Sequence, residues 1–363
     1  MTSPAPRPGI LDISPYVGGR STLSGMDRVI KLSSNEGALG PSPKAMAAYR
    51  AIAPEMHRYP DGHAGALRET LASLHGLHAE QIVCGAGSDE LLQLLVRGYA
   101  GLGDEVVYSR YGFLVYPIAA MASGATPVVA EEADLTASVD NLLSVVTPRT
   151  RILFLANPNN PTGTYLPISE IKRLRDGLPE HVLLVLDAAY AEFVDRNDYS
   201  SGAELVDAYD NVVMTRTFSK IYAMGGLRLG WGYCPPAVAA VLNRVRGPFN
   251  VSSPALAAGQ AAVEDKAYVE LVRRHNSYWR DWFTEAVGRL GLTVVPSVGN
   301  FVLVRFPKEP GRNSAAADAF LRSKGIIVRP VASYGLDEYL RVTIGRDDEM
   351  QAVVQALMEF QGV

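Results

Sequence analysis

The chain is expected to fold as an α/β protein, with a mostly parallel sheet between helices followed by a smaller α+β domain. Three observations carry that expectation. The runs "RILFLA" (151–156) and "HVLLVL" (181–186) are apolar at nearly every position, as in strands covered on both faces. Segments with helical spacing alternate with extended ones from about 66 to 245. After about 250 the texture changes to one long helical stretch followed by short strands.

Taken in order, "ALRETLASLHGL" (66–77) has helical spacing, and "QIVCGAG" (81–87) is a short strand ending in glycines. "SDELLQLLVRGYA" (88–100) reads as a helix with Ser88 as its N-cap and acidic residues in its first turn. "DEVVYS", "ATPVVA", "TRILFLANP", "HVLLVLDAAY", "NVVMTRTFS" and "LGWGYC" follow as strands. A helix over 254–290 leads into "GLTVVPSVGNFVLVRF", a helix over 314–324, then "GIIVRP" and "YLRVTIG". The division expected is an N-terminal arm over 1–35 packing with the small domain, a large domain over 36–248 and a small domain over 249–363.

Composition narrows the function. Of 363 residues, 48% are hydrophobic and 20% charged, and the net charge of −4 offers no basic surface for nucleic acid. Two distant cysteines, Cys84 and Cys234, are too few for a disulfide framework or a metal cluster and read as buried thiols. No window reaches the roughly 18 apolar residues of a membrane span, and "MTSPAPRPGILDISPY" lacks the pattern of a secretory or transit leader. A cytoplasmic, metal-free protein acting on small molecules is expected.

In doubly covered parallel sheets, ligands gather at the carboxyl ends of the strands. The polar motifs of this chain fall there. "GAGSDE" (85–90) is a turn from strand to helix that can present backbone N–H groups to a phosphate; the third glycine of a dinucleotide fingerprint is absent, since Glu90 stands in its place. "NPNNPTG" (157–163) is a rigid polar turn with uncharged donors. Asp187 ends a buried strand and needs a partner. Lys220 sits among Phe218, Ile221, Tyr222 and Met224, where desolvation favours the neutral amine, and Ser219 and Arg228 flank it as phosphate ligands. Singly, each has a plain structural reading as a turn, a helix cap or a snorkelling side chain. As a set they match pyridoxal phosphate: a phosphate cradle, a donor to a ring oxygen, a carboxylate for a pyridine nitrogen and an amine for an aldehyde.

The chain resembles the fold-type I pyridoxal-phosphate aminotransferases nearly end to end, through "LSSNEGALGPSP" (32–43), "RYPDG" (58–62), "NPNNPTG", Asp187–Tyr190, "TFSKIYAMGGLRLGW" (217–231), "GNFVLVRF" (299–306) and "RVTIG" (341–345). The resemblance implies that Lys220 forms the Schiff base, Asp187 pairs with the pyridinium nitrogen, and Asn160 and Tyr190 bond the phenolic oxygen. It puts Gly87, Ser88, Ser219 and Arg228 in the phosphate cup and Tyr111 on the ring face. Tyr59 would reach the phosphate of the neighbouring subunit's cofactor, so a homodimer with shared sites is implied. For substrates, Arg341 matches the arginine that grips an α-carboxylate, Arg329 one that contacts a side-chain phosphate, and Tyr16 a tyrosine of the covering arm; Asn35 borders the substrate. The implied activity is amino-group transfer between histidinol phosphate and 2-oxoglutarate. The alternatives are transamination of aromatic amino acids, with Tyr16, Phe113 and Tyr222 as a ring pocket, and a lyase acting on threonine phosphate. Two departures fall near the substrate side: the usual "DEAY" is "DAAY" here, and the usual "NENP" is "NEGA".

Overall fold

The computed structural model describes residues 4–26 and 28–363; the first three residues of the expected arm, and Asp27 within it, lie outside them. Seven strands form the large sheet: β1 (Ile82–Gly85), β2 (Glu105–Ser109), β3 (Thr126–Ala130), β4 (Thr150–Ala156), β5 (Leu183–Asp187), β6 (Val212–Thr217) and β7 (Gly230–Tyr233). Their order is β1-β7-β6-β5-β4-β2-β3, and β2 to β6 are mutually parallel. Only β7 runs antiparallel, between β6 and β1. The two central apolar runs are therefore β4 and β5, and their nearly complete burial explains why neither alternates with polar residues.

One hydrophobic core covers each face of this sheet. Leu153, Leu155, Leu184, Leu186 and Met214 point to one side; Ile152, Phe154, Leu183, Val185 and Val213 point to the other. That alternation is the two-residue period of an extended chain. It also decides which side each strand-end polar residue faces.

A second sheet, β8 (Thr293–Val294), β9 (Phe301–Arg305), β10 (Arg329–Pro330) and β11 (Tyr339–Thr343), is antiparallel in the order β8-β9-β11-β10. The short strand Ile30–Lys31 pairs in parallel with Ile326–Ile327, and Leu32 joins the core beneath this sheet. The N-terminal segment is thus stitched to the C-terminal layer before it enters the large sheet.

Two expectations shift. The stretch 254–290 is two helices, Ser253–Glu264 and Lys266–Arg289, because Asp265 leaves the helical region with ψ 61°. Packing also carries the chain past 248 into the large core: Ala255, Ala258, Ala262 and Val272 belong to it, whereas Trp279, Phe283 and Val287 belong to the smaller one. The cores part within the helix Lys266–Arg289, not at 248/249.

Candidate active site

The strand ends of β4, β5 and β6 open into a cleft of about 380 Å³, in the size range of small-molecule sites. Of the residues expected from sequence, Tyr16, Asn35, Ser88, Asn160, Asp187, Tyr190, Ser219, Lys220, Arg228, Arg329 and Arg341 all line it. They come from segments far apart in the chain, brought together by sheet order.

Asp187 ends β5 and is 6% exposed. Its carboxylate accepts hydrogen bonds from the Tyr116 hydroxyl (2.8 Å) and, more weakly, from Thr215 Oγ1 (3.5 Å). No cation among the described residues pairs with it, and burial pushes its pKa up to about 6. Across the cleft, Lys220 follows β6; its Nζ donates to the Ser34 carbonyl (3.3 Å) and lies 5.6 Å from the centre of the Tyr190 ring. Burial first, then the positive charge of Arg341, lowers the Lys220 pKa to about 8. Tyr190 is buried, and desolvation raises its pKa to about 12, so the phenol keeps its proton.

The turn after β1 forms the other end. The helix Ser88–Tyr99 starts at Ser88 itself, one residue earlier than a Ser88 cap would give, with Gly87 as N-cap at φ 89°. A Cβ at Gly87 would stand 2.3 Å from both Arg228 Nη2 and Asp89 Oδ1, so only glycine lets the arginine approach this helix start. Arg228, itself at φ 55°, donates to Asp89 Oδ1 (2.6 Å). The Ser219 backbone N–H and side-chain hydroxyl both contact Thr217 Oγ1, at 3.1 and 3.0 Å.

Arg341 of β11 is 6% exposed, donating to Asn160 Oδ1 and to the Ser33 carbonyl (2.7 Å). Arg329 donates to the Val17 carbonyl (2.8 Å) and so ties the arm that carries Tyr16. Among the described residues neither arginine has a carboxylate partner. Burial above all, with the like charge of Arg329 adding to it, lowers the Arg341 pKa from its ordinary value.

Two expectations need correction. Tyr111 does not reach the cleft: its ring packs with Leu303, Val331 and Tyr334, while its backbone is pinned by Glu132 and Asn159. Phe113 takes the wall position instead, its ring meeting that of Tyr116 edge-on at 6.0 Å. Tyr59, expected to serve the neighbouring subunit's cofactor and not its own, is 83% exposed and stacked on Phe249 (4.8 Å), outside its own chain's cleft. Tyr222 is buried against Phe218 and lines no part of the cleft, so any ring pocket is left to Tyr16 and Phe113, which meet edge-on at 6.1 Å.

Sequence reasoning also missed Tyr116, Asp89 and the true setting of Asn35. Tyr116 carries no signal: it sits on an apolar helix 71 residues before Asp187. Asn35, expected to border the substrate, lines the cleft and is 1% exposed, and its side chain donates to the Tyr190 hydroxyl (2.9 Å).

These residues fit a bound pyridoxal phosphate. An unpaired buried carboxylate suits a protonated ring nitrogen, and a desolvated amine suits an aldehyde. An open helix start beside Arg228 and Ser219 suits a phosphate. A parallel-rich sheet with this set at its strand ends defines a pyridoxal-phosphate-dependent transferase of the fold-type I architecture. The sequence profile of the class I and II aminotransferases matches residues 27–357, and the chain belongs to that family.

Its relatives are similarly uniform. A histidinol-phosphate aminotransferase of Paramagnetospirillum magneticum is 68% identical over 362 residues, covering 100% of both chains. One from Rhodospirillum rubrum is 60% identical, covering 98% of this chain and 97% of the relative. Among solved structures, a histidinol-phosphate aminotransferase from Sinorhizobium meliloti in complex with pyridoxal-5'-phosphate superimposes with a TM-score of 0.91 at 29% identity, over 99% of each chain.

Proposed function

We propose that this chain transfers an amino group between L-histidinol phosphate and 2-oxoglutarate, using pyridoxal phosphate, in the biosynthesis of histidine. The observation that carries the substrate assignment is a pair of guanidinium groups, Arg341 and Arg329, in one cleft with no carboxylate between them. Two uncompensated cations call for anionic substrates. Glutamate and 2-oxoglutarate bring an α-carboxylate for Arg341. Histidinol phosphate has no carboxylate and presents a phosphate instead, which Arg329 takes up. Its imidazole ring rests against Phe113 and Tyr16.

When bound, pyridoxal phosphate supplies an aldehyde that captures the substrate amine and a ring that draws electrons from the neighbouring carbon. Around it, Asp187 holds a negative charge in a dry pocket and thereby keeps a proton on the ring nitrogen. Ser219, Arg228 and the Ser88 backbone grip the phosphate. Asn160 and Tyr190 donate toward the phenolic oxygen. Lys220 Nζ, whose burial lowers its pKa to about 8 and so favours the neutral amine, would take a proton from the substrate Cα and deliver it to the carbon on the far side of the amine nitrogen.

The same reading makes the functional unit a homodimer. Met46, Tyr49, Met56, Tyr59 and Phe249 are exposed, an apolar set that a second copy would cover, with Tyr59 delivered to the other subunit's phosphate cup. No helix among the described residues is long and apolar enough to cross a membrane, and the proposed setting is the cytoplasm.

The test is steady-state turnover with histidinol phosphate, phenylalanine and threonine phosphate, each with 2-oxoglutarate, in wild type and Arg329→Gln. The expected result is a loss of kcat/KM of about 10- to 100-fold with histidinol phosphate, from removing one charge-assisted contact, and little change with phenylalanine. Equal efficiency on phenylalanine and histidinol phosphate in wild type defeats the substrate assignment. Carbon dioxide released stoichiometrically from threonine phosphate defeats transamination.

A further inference from the structure

Asn35 sits at φ 53°, a left-handed conformation that asparagine tolerates better than most residues, and it is 1% exposed. Its polar groups are nearly all engaged. The backbone N–H donates to Thr343 Oγ1 (3.0 Å), and the carbonyl accepts from Asn300 Nδ2 (3.1 Å). The side-chain Oδ1 accepts from Thr343 Oγ1 (3.2 Å), and Nδ2 donates to the Tyr190 hydroxyl (2.9 Å). Asn300 precedes β9 and Thr343 ends β11, so three of the four contacts belong to the C-terminal sheet and one to the large domain's cleft.

The orientation of the amide follows from proton counting. Thr343 Oγ1 already accepts the Asn35 N–H, so its own proton needs an acceptor, and Asn35 Oδ1 is the one in reach. With Oδ1 committed to Thr343, the NH₂ group faces Tyr190. The Tyr190 oxygen then receives a hydrogen bond and has its own O–H left to give.

We propose that Asn35 is a positioning residue that fixes Tyr190 as a donor toward the cleft, and that Thr343 sets the sense of that bond from the C-terminal sheet. This rests on the reading of the cleft as a pyridoxal-phosphate site, where Tyr190 donates to the cofactor's phenolic oxygen. A donor there draws charge from that oxygen and weakens its hold on the proton shared with Lys220 Nζ. Taking the donor away strengthens the hold, so the cofactor's absorption midpoint moves to higher pH. The charged and titratable groups facing Tyr190 and Lys220 are Arg341 and Tyr334 from the C-terminal sheet region, Asp187 from β5, Tyr116 from the helix Val115–Ser123, Glu36 from the N-terminal segment and Arg228 from the loop after β6. All of these stay in place in the variants below.

The experiment is a spectrophotometric pH titration of the cofactor-loaded enzyme in wild type, Thr343→Val, Tyr190→Phe and the double variant. Thr343→Val is nearly isosteric, adds no charge and lies outside the cleft lining. It frees Asn35 Oδ1, so the amide turns and accepts the Tyr190 proton. The expected result is an upward shift of about half to one pH unit, a three- to tenfold change in proton affinity, from losing one hydrogen bond. Tyr190→Phe shifts the midpoint further in the same direction, and Thr343→Val adds nothing to it in the double variant. A wild-type midpoint in Thr343→Val, or the same shift with and without the Tyr190 hydroxyl, overturns the inference. A wild type with no cofactor absorption to titrate overturns the cofactor reading itself, and the inference with it.

Discussion

Tyr116→Phe removes one hydroxyl and keeps the ring, which is stacked on Phe154 at 4.6 Å and 5°. The lost contact is the 2.8 Å bond to the buried Asp187 carboxylate. A hydrogen bond to a buried charge is worth about 1.5–3 kcal/mol. At 1.36 kcal/mol per unit, its loss raises the Asp187 pKa by about 1–2 units above its value of about 6. In the enzyme without cofactor this becomes a stability profile. The folded state binds the Asp187 proton more tightly than the unfolded chain, whose aspartate has the ordinary value of 3.8. Stability from that proton is therefore present at low pH and lost as pH rises through the folded pKa. Wild type finishes losing it by about pH 6–7, whereas Tyr116→Phe continues to lose it up to about pH 8. The assay is urea unfolding of both proteins without cofactor from pH 5 to 8.5. The deficit of the variant should grow by about 1–2 kcal/mol between pH 6 and 8.5. A deficit that does not change with pH would refute the claim that this hydroxyl stabilises the ionised carboxylate.

Two further expectations concern residues away from the chemistry. His75 is stacked on Trp231 (5.6 Å), and burial, helped by Arg216 and Lys266, lowers its pKa to about 3. Its folded pKa is depressed, so the unfolded chain binds the proton more tightly and stability falls as pH drops below about 6.5. His75→Phe should keep the stack and move the acid-unfolding midpoint to lower pH; an unchanged midpoint counts against the assignment. The "NEGA" departure has a packing basis, since a Cβ on Gly37 would stand 2.5 Å from Ala223 Cβ, and Ala223 holds φ 54°. Gly37→Ala should lose about 1–3 kcal/mol by overpacking, and adding Ala223→Gly should recover most of it. Purely additive thermal-unfolding shifts in that cycle would show that the two positions do not share the space.

Much of this molecule was legible in the sequence because burial on two faces writes a simple code. β4 and β5 announced themselves as unbroken apolar runs, and the residues at their ends could be read as ligands before any geometry was known. What failed was anything fixed by rotation about a chain rather than by position along it. Tyr111 and Phe113 are two residues apart in a turn, and only the start of the helix Val115–Ser123 decides which of them faces the cleft. Tyr116 is buried in the core, yet its side-chain hydroxyl meets Asp187. Asn35 lines the cleft, yet nothing along the sequence tells that its amide meets the Tyr190 hydroxyl.

Asp187 and Lys220 show why the cleft waits for a particular ligand. Burial moves one pKa up to about 6 and the other down to about 8, pushing each group toward its neutral form. They do not pair with each other: Asp187 is held by Tyr116 and Thr215, and Lys220 by the Ser34 carbonyl. A ligand that restores the Asp187 charge must bring a cation to β5, and one that uses a neutral Lys220 must bring an electrophile to the end of β6. The open start of the helix Ser88–Tyr99 asks for an anion at a third point. A zwitterionic ring with an aldehyde and a phosphate meets all three demands at once, whereas a nicotinamide or a bare metal ion meets one. The match to the cofactor is therefore electrostatic, and the desolvation that disfavours both charges in the cleft is the same desolvation that keeps Lys220 reactive.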